Sequence, residues 1–297
     1  MNSKVRENEK HRKHWIKFGW QVCKLYLNKK NKQEDLTNLS YNKIAGIYDK
    51  IWTNHMQVFS KDMIDRLKLP IKGTGLDLTC GTGYVTGILA NKIKGDVTGV
   101  DISKGMLEIA KKKYGKRCKF VCSDVINYLK KQESASVDIV TSAWGLGFTK
   151  PFKMIKEISR ILKPNGQVAI IDNTLFTVYE VSFSGLFTVS EYPSSITNLM
   201  NVRWLSNLKS LTLRMRMNGL KILSSWKGEK TYYAKNGNDA VNRLIDTGTA
   251  AGYENCIKKQ YYPVIKKRFG EIFEKLYGTD TGLPITHRYI AAIAKKP

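Results

Sequence analysis

Residues 76–89, LDLTCGTGYVTGIL, place the strongest constraint on the fold, because a short apolar segment runs directly into a glycine-containing turn and a helix-like stretch. Gly81 and Gly83 can adopt backbone angles that other residues avoid, and they let a ligand approach the main chain closely. A buried strand followed at once by a turn and a helix predicts an α/β arrangement.

The same alternation of strand and helix continues along the chain from Tyr41. The predicted strands lie at 75–79, 97–101, 118–122, 137–143 and 166–172, and the predicted helices at 56–68, 83–93, 104–114 and 151–162. Ser60 and Ser103 are predicted helix N-caps, and Pro151 suits a first helical turn. Repeated βα units predict a parallel sheet with helices on both faces.

Residues 173–236 interrupt this alternation and are predicted to form an inserted lid over the acceptor. Within them, residues 211–226 read LTLRMRM–NG–LKILSSW, in which apolar and polar residues alternate on each side of Asn218-Gly219. This pattern predicts a β-hairpin with a tight turn. A helix at about 237–251 and strands at about 254–262 and 286–294 are predicted to end the chain.

The first 32 residues are strongly basic, with ten Lys or Arg against two Asp or Glu. A helix is predicted at 9–28, followed by a linker at 31–38, so that residues 1–40 precede a domain at 41–297. One arc of this helix is polar and carries Lys10, Lys13, Lys17, Gln21, Lys24 and Asn28. The wide apolar arc, with Trp15, Phe18 and Trp20, suits an interfacial membrane helix whose lysines meet anionic headgroups. A helix docked on the domain, with its lysines in solvent, is the alternative.

The composition limits the partners without choosing among them. The 297 residues carry a formal charge of +25, which implies an anionic partner such as nucleic acid, an acidic membrane surface or an anionic substrate. Five cysteines, an odd number with no CxxC pair, argue against a zinc site or a disulfide framework. No signal peptide and no apolar run of about 18 residues are apparent. We therefore expect a cytoplasmic protein, with peripheral attachment to the inner face of the membrane if the first helix binds lipid.

Three aspartates lie at the ends of three successive predicted strands or just after them, and together they indicate the cofactor. Asp77 stands before the glycine loop, where a carboxylate would repel a pyrophosphate but attract an ammonium or sulfonium group. Thr86 also occupies the third glycine position of a dinucleotide fingerprint. Asp101 can accept both hydroxyls of a ribose, and Asp124 can accept from an adenine amino group. These features describe an adenosine without phosphates joined to a cationic amino acid, which is S-adenosyl-L-methionine.

Five segments in this order resemble the class I S-adenosylmethionine-dependent methyltransferases. They are Asp77–Gly83, Val100–Ser103 with Met106, Cys122–Val125, Val137–Ala143 and Glu157–Gly166. Residues 41–49, YNKIAGIYD, are similar to the helix before the first strand in methyltransferases of quinones, lipid headgroups and other small molecules. The resemblance covers residues 41–172 and, more loosely, 237–297.

The resemblance implies a Rossmann-like sheet of seven mostly parallel strands with helices on both faces. It implies cofactor contacts from Asp77, Gly81, Thr82, Gly83, Asp101, Ile102, Met106, Asp124, Val125 and Ser142. It also suggests that Tyr41 and Tyr48 cover the cofactor and act in catalysis. Thr79 replaces a frequent glycine, which we expect to be tolerated. Gly147-Phe148 replaces a frequent histidine pair, so no base is transferred, and His55 and His287 are the other candidate bases.

We expect the acceptor to be a small apolar or lipid-like molecule, reached at a membrane surface. A nucleic-acid methyltransferase would fit the charge, but Ser142-Ala143-Trp144-Gly145 replaces the polar-Pro-Pro-aromatic turn of amino-directed enzymes. The chain also has no Pro-Cys nucleophile for methylation of base C5 and no recognisable RNA-binding module. A non-catalytic module that only binds the cofactor is a second alternative.

Overall fold

The computed structural model describes residues 3–27, 33–49, 54–200, 202–249 and 251–297. The chain divides into two compact units. The first unit comprises Met1–Ser40, Val178–Asn201 and Lys230–Thr286, and the second comprises Tyr41–Thr177, Val202–Glu229 and His287–Pro297.

Helices and strands alternate through the middle of the chain. The helices are α1 Ser3–Leu27, α2 Gln33–Tyr48, α3 Asn54–Asp65, α4 Tyr84–Lys92, α5 Lys104–Tyr114, α6 Val125–Lys130, α7 Pro151–Ile161, α8 Tyr179–Glu191, α9 Leu208–Met217, α10 Gly237–Asp246 and α11 Tyr262–Tyr277. The strands are β1 Gly75–Leu78, β2 Val97–Asp101, β3 Lys119–Cys122, β4 Val137–Ala143, β5 Leu162–Asn173, β6 Lys221–Ala234 and β7 Leu283–Lys295.

The strands form one sheet in the order β3-β2-β1-β4-β5-β7-β6, which confirms the predicted Rossmann-like sheet of seven mostly parallel strands. The first five strands pair with one another in parallel, and β7 is antiparallel to β5. Leu78 at the end of β1 lies opposite Val100 of β2 and Ser142 of β4. The loops after these strands therefore gather at one edge, where ligands bind in open α/β sheets.

Both faces of the central strands are buried, which explains their continuous apolar sequence. Ile139 and Val140 are neighbours on β4, yet they belong to two different hydrophobic clusters. The cluster of Val140 includes Met154 and Ile158 of α7, whereas the cluster of Ile139 includes Leu89 of α4. Helices on each face thus exclude water from the sheet that positions the loops.

Two of the three predicted helix starts are confirmed. The Ser103 hydroxyl accepts a hydrogen bond from the Met106 amide at the start of α5, and Pro151 begins α7. The prediction for Ser60 was wrong, because Ser60 lies buried inside α3. Its hydroxyl accepts a hydrogen bond of 2.9 Å from the Trp144 indole, so it joins α3 to the loop after β4.

The predicted hairpin at 211–226 is wrong in its first half, which forms helix α9, while the second half enters strand β6. Leu211 and Met215 lie one helical turn apart and are fully buried, whereas Leu213 and Met217 are 55% and 65% exposed. Apolar residues at every second position include a set spaced four residues apart, and such a set lies on one face of a helix. Leu211 and Met215 form that set and pack into the core, so the segment is helical. Gly219, with φ of 77°, follows the end of this helix instead of forming a hairpin turn.

Three smaller predictions were also wrong. The stretch 254–262 forms two short 3₁₀ turns and the start of α11, whose first turn contains Pro263, and proline disfavours a strand interior. Residues 33–38 of the predicted linker begin α2, and residues 28–32 lie outside the described ranges. The helix predicted to reach residue 251 ends at Asp246.

The stretch 173–236 is divided between the two units. Leu205, Leu211 and Met215 belong to the main hydrophobic cluster of the second unit, so this part is an element of the core. Residues 178–201 belong to the first unit. A lid function for the stretch stays a prediction.

In the first unit, α1 packs against α8. The rings of Trp15 and Phe187 meet edge to face at 5.8 Å, and the Gln21 side-chain amide donates to the Ile196 carbonyl at 2.8 Å. This packing agrees with a docked helix, but it leaves Trp20 75% and Leu27 80% exposed. Within the described ranges, no helix combines the length and apolarity needed to cross a membrane.

The assignment of α9 predicts different costs for two chemically identical substitutions. Leu211→Ala should lower the free energy of unfolding by about 2–5 kcal/mol because it leaves a cavity in the core. Leu213→Ala should change it by less than about 0.5 kcal/mol because that side chain faces solvent. Urea denaturation measures both. Equal losses of unfolding free energy in the two variants would instead support the predicted hairpin, in which both leucines lie on one face.

Candidate cofactor and acceptor site

The chain leaves β1 through a turn that depends on left-handed backbone angles. Gly81 and Gly83 have φ of 53° and 82°, and Thr79 has φ of 56°. A Cβ atom on Gly83 would lie 3.0–3.1 Å from Ala110, Phe120 and Tyr114, so packing also favours glycine there. The Thr79 hydroxyl lies 3.1 Å from the Ser142 hydroxyl, and this contact offsets part of the cost of its unusual angle.

Asp101 joins the glycine loop to the end of β2. One carboxylate oxygen accepts a hydrogen bond of 2.9 Å from the Gly81 amide, and the other accepts one of 2.9 Å from the Ser103 amide. Burial raises the pKa of Asp101, and these amides oppose the rise. Two predicted cofactor residues are thus brought together, while the contact of Asp101 with a ribose stays a prediction.

Asp77 is a buried carboxyl, 1% exposed, at the centre of the sheet edge. It accepts hydrogen bonds from the hydroxyls of Thr86 at 2.6 Å and Thr141 at 2.8 Å. Burial raises the pKa of Asp77 to about 7, because neutral hydroxyls compensate a buried charge only in part. A cationic group brought beside this carboxyl would lower that pKa, so the site fits a ligand that carries an ammonium group.

The second half of α2 and the residue that follows it hold the loops in place through two polar side chains. Asn42 accepts hydrogen bonds from the Ser103 hydroxyl at 2.8 Å and the Gly105 amide at 2.9 Å. Asp49 accepts a hydrogen bond from the Thr82 hydroxyl at 2.6 Å and forms an ion pair with Lys113. These contacts place the helix that carries Tyr41 and Tyr48 beside both loops.

The other predicted cofactor residues lie near the same strand ends. Met106, Val125 and Ser142 are buried, and Ile102 is partly exposed. Asp124 caps α6 by accepting a hydrogen bond of 2.8 Å from the Asn127 amide. Its carboxylate therefore has a structural function, and its contact with adenine stays a prediction.

A cavity of about 60 Å³ brings the glycine loop together with α2, α3 and the end of β4. It is lined by Tyr48, Met56, Gln57, Ser60, Asp77, Thr79, Cys80, Gly81, Thr82, Tyr84, Val85, Ala143 and Trp144. Four of the predicted site residues, Tyr48, Asp77, Gly81 and Thr82, therefore line one cavity.

A row of aromatic rings leads away from this cavity. Tyr48 contacts Tyr41 at a centroid separation of 5.9 Å, Tyr41 contacts Phe148 at 6.0 Å, and Phe148 contacts Trp204 at 6.3 Å. We call these four residues the aromatic row. Burial raises the pKa values of Tyr41 and Tyr48, so both hydroxyls keep their protons at neutral pH and cannot act as bases.

Asp172, at the end of β5, is an ionisable group that the sequence argument missed. It is buried, and its carboxylate accepts hydrogen bonds from the Gly147 amide at 2.7 Å and the Asn173 amide at 2.9 Å. Burial raises the pKa of Asp172 to about 7. Its charge helps to raise the pKa of Tyr41, so it acts on the aromatic row. The rule that found Asp77, a carboxylate at the end of an apolar strand, would also have found Asp172.

The two candidate histidine bases lie together, with ring centroids 5.9 Å apart. Burial, followed by the charge of His55, lowers the pKa of His287 to about 3. His287 is therefore neutral at physiological pH and is a weak base.

The chain matches known proteins through its central strands and helices. A family described as a methyltransferase domain matches residues 76–170. Demethylmenaquinone methyltransferases of Lactobacillus johnsonii and Staphylococcus aureus are 31% and 33% identical over 165 and 160 residues. Each match covers 52% of this chain, and the two cover 66% and 61% of those proteins.

A solved structure shares the fold. Phosphoethanolamine N-methyltransferase 2 of Haemonchus contortus, determined with S-adenosylhomocysteine, has a TM-score of 0.52 and 18% identity. That match covers 86% of this chain and 57% of the neighbour. The chain spans less than two thirds of the length of each protein named here, so these matches do not give its acceptor. Residues 76–170 thus match a methyltransferase domain, and the sheet order and the strand-end carboxylates agree with this match, so that the chain resembles the class I S-adenosylmethionine-dependent methyltransferases and, among them, the quinone methyltransferases.

Proposed function

We propose that the protein methylates a small apolar or lipid-like acceptor and reaches it at a membrane surface. The aromatic row carries this proposal. It begins with Tyr48 at the cavity beside the glycine loop, which we call the cofactor cavity, and its four rings suit a flat or apolar ligand better than a hydrated one. The sequence relatives support it, since their names specify a demethylated menaquinone as the acceptor.

The residues at the sheet edge would hold the two reactants in place. S-adenosylmethionine supplies a methyl group that is already activated on a sulfonium. Asp77 suits the cationic amino-acid end of this cofactor, and Asp101 suits its ribose. Because the methyl group is activated, positioning by these residues can supply much of the rate enhancement, up to about 7–11 kcal/mol.

We assign to Asp172 the removal of a proton from the acceptor, where the acceptor carries one. The pKa of about 7 leaves this carboxyl partly ionised at neutral pH, as general-base catalysis requires. The tyrosines of the aromatic row stay protonated, and His287, with a pKa of about 3, is too weak a base. Asp172 is therefore the acidic group best suited to this step among the residues beside the aromatic row.

The membrane part of the proposal rests on α1. Ile16, Trp20 and Leu27 are exposed on one arc of this helix, and the exposed Lys13, Lys17 and Lys24 lie beside that arc. Exposed apolar residues, with a tryptophan among them, next to lysines suit the interface of an anionic membrane. On this proposal the protein is cytoplasmic and peripheral on the inner face of the membrane.

The raised pKa of Asp77 predicts that cofactor binding depends on pH. Below a pH of about 7 the carboxyl is protonated, and its proton must leave before the carboxylate can pair with an ammonium group. The affinity for S-adenosylmethionine should rise by up to about tenfold per pH unit below this pKa and then level off. The Asp77→Asn variant should bind S-adenosylmethionine weakly at every pH, and its affinity should no longer depend on pH. Calorimetry measures both, and Asp101→Ala, which removes a different acceptor, should weaken binding while keeping the dependence on pH. A wild-type affinity that does not change between about pH 6 and 8 would refute the argument.

The acceptor proposal predicts methylated products from a cell lipid extract. Mass spectrometry after incubation with isotopically labelled cofactor should find them in the lipid fraction and not in total RNA. Asp172→Asn should lower kcat by at least about 100-fold and remove the rise in rate through a pH of about 7, because the proton acceptor is lost. Its cofactor affinity should stay at the wild-type value. Isotopic label found in RNA would show that the acceptor is a nucleic acid and not a lipid-like molecule. An unchanged pH profile of the rate in Asp172→Asn would show that Asp172 is not the proton acceptor.

The exposed arc of α1 predicts sedimentation with phosphatidylglycerol vesicles at low salt, with less at high salt and none with neutral vesicles. Each lysine near such a surface contributes about 1 kcal/mol, and salt screens this attraction. Ile16→Ser with Trp20→Ser should abolish sedimentation without lowering the melting temperature, because both side chains are exposed. The matched control, Leu213→Ser with Met217→Ser, also removes two exposed apolar side chains and should sediment normally. Normal sedimentation of both double variants would count against membrane attachment by α1.

A further inference from the structure

A basic groove of about 540 Å³ lies in the second unit, outside the cofactor cavity. Its cationic side chains are Lys150 and Lys153 at the start of α7, Arg203 before α9, and Arg214 on α9. Apolar surface from Phe152 and Trp204 lines the same groove, and none of the described residues that line it is acidic. The groove thus combines four positive charges with aromatic surface.

These four cations form no ion pair with a carboxylate in the part of the chain that the structure describes. Arg203 donates to the Thr149 carbonyl at 3.1 Å, and Arg214 donates to the Ser210 carbonyl at 2.9 Å. Neutral carbonyls orient a guanidinium without cancelling its charge. The two arginines are therefore held at the groove with their positive charge available to a ligand.

The backbone at the start of α7 adds further hydrogen-bond donors. Lys150 is the N-cap residue and its side chain makes no capping hydrogen bond, and Pro151, at the first position, has no amide hydrogen. The amides of Phe152 and Lys153 lie in the first helical turn, where no intrahelical acceptor exists. Helix N-termini of this kind favour anions, phosphate above all.

The indole nitrogen of Trp204, another residue of the groove, is buried and has no hydrogen-bond partner among the described residues.

Trp204 belongs both to the basic groove and to the aromatic row. The groove therefore lies at the end of the row that is remote from the cofactor cavity. A ligand along this path would meet apolar rings first and positive charge last. That order suits an amphipathic molecule whose reacting end is apolar and whose other end is anionic.

We propose that the basic groove binds a phosphate or diphosphate group carried by the acceptor, while the apolar part of the acceptor lies along the aromatic row. The link to methyl transfer rests on the function proposed above, but binding of phosphate by the groove does not. Such a group has two sources with the same chemistry, a soluble phosphorylated small molecule and the headgroup of a phospholipid.

Calorimetry on the full chain, with inorganic pyrophosphate and octyl phosphate as probes, tests the groove without using activity. Octyl phosphate should bind more tightly than pyrophosphate, because Phe152 and Trp204 add apolar contact, and octanol should not bind.

Arg203→Gln with Arg214→Gln should weaken the binding of both phosphate probes by about tenfold or more, through loss of charged hydrogen bonds. The matched control, Lys112→Gln with Lys116→Gln, removes the same charge from exposed lysines outside the groove and should bind within about twofold of wild type. Circular dichroism melting checks that the variants fold, and Lys150→Gln with Lys153→Gln tests the groove again through two lysines.

The two sources are separated by calorimetry with a short-chain phosphatidylglycerol that stays monomeric, because α1 is itself proposed to hold the protein on vesicles. Binding of this lipid that is lost in the arginine double variant, but not in its control, would identify the headgroup of a phospholipid. Failure of this lipid to bind to a wild type that does bind octyl phosphate would identify a soluble phosphorylated acceptor. Either result supports the groove as a phosphate site.

Three results would overturn the inference. They are failure of both phosphate probes to bind to the wild type, equal weakening in the groove and control variants, and binding of an RNA oligonucleotide in place of octyl phosphate. Failure of the proposed function would look different, since phosphate binding would persist while no lipid fraction became methylated. Methylation of a phosphorylated acceptor by the arginine double variant with the wild-type KM and rate would overturn this inference alone.

Discussion

The candidate site depends on the parallel pairing of β1 with β2 on one side and β4 on the other. This pairing brings Leu78, Val100 and Ser142 to one level and directs the loops that follow toward one edge. Both faces of these strands are covered by apolar side chains, so the edge has a low effective dielectric. Carboxyl groups placed there lose hydration and must be compensated by hydroxyls, amides or a cationic ligand. The order of the strands therefore determines the chemistry of the site.

The parts of the fold that could be predicted from sequence are those in which local pattern and burial agree. Buried parallel strands are continuous apolar runs, so β2 and β4 were predicted with the bounds that the structure has. The pattern was ambiguous at 211–217, because alternating apolar residues can also place Leu211 and Met215 on one helical face. Only the surrounding core decides between these structures, and a single sequence does not show that core.

The same distinction applies to the site. Asp77, Asp101 and Asp124 were recognisable because each lies at the end of a strand or just after it, and Asp172 obeys that rule as well. The anchoring of the glycine loop by Asp49, and the contact of Phe148 with Trp204, had no such signal. These contacts join residues far apart in the chain, so no local spacing reveals them. The high net charge was visible at once, yet its use became interpretable only when four cations were found around one groove.

Asp77 and Asp172 differ in the groups that compensate their charge, although burial raises the pKa of each to about 7. Hydroxyls compensate Asp77 and backbone amides compensate Asp172. Neither carboxyl forms an ion pair with a cationic side chain of the described residues. In the unfolded chain such groups ionise near pH 4, so the folded state binds more protons than the unfolded state between about pH 4 and 7. Their contribution to the free energy of unfolding therefore falls as the pH rises through that interval. A cationic ligand beside Asp77 offsets the loss of stability that this carboxyl causes, whereas Asp172 keeps its affinity for a proton. One structural cost, the burial of two carboxyls at the sheet edge, thus favours a positively charged cofactor at one position and proton transfer at the other.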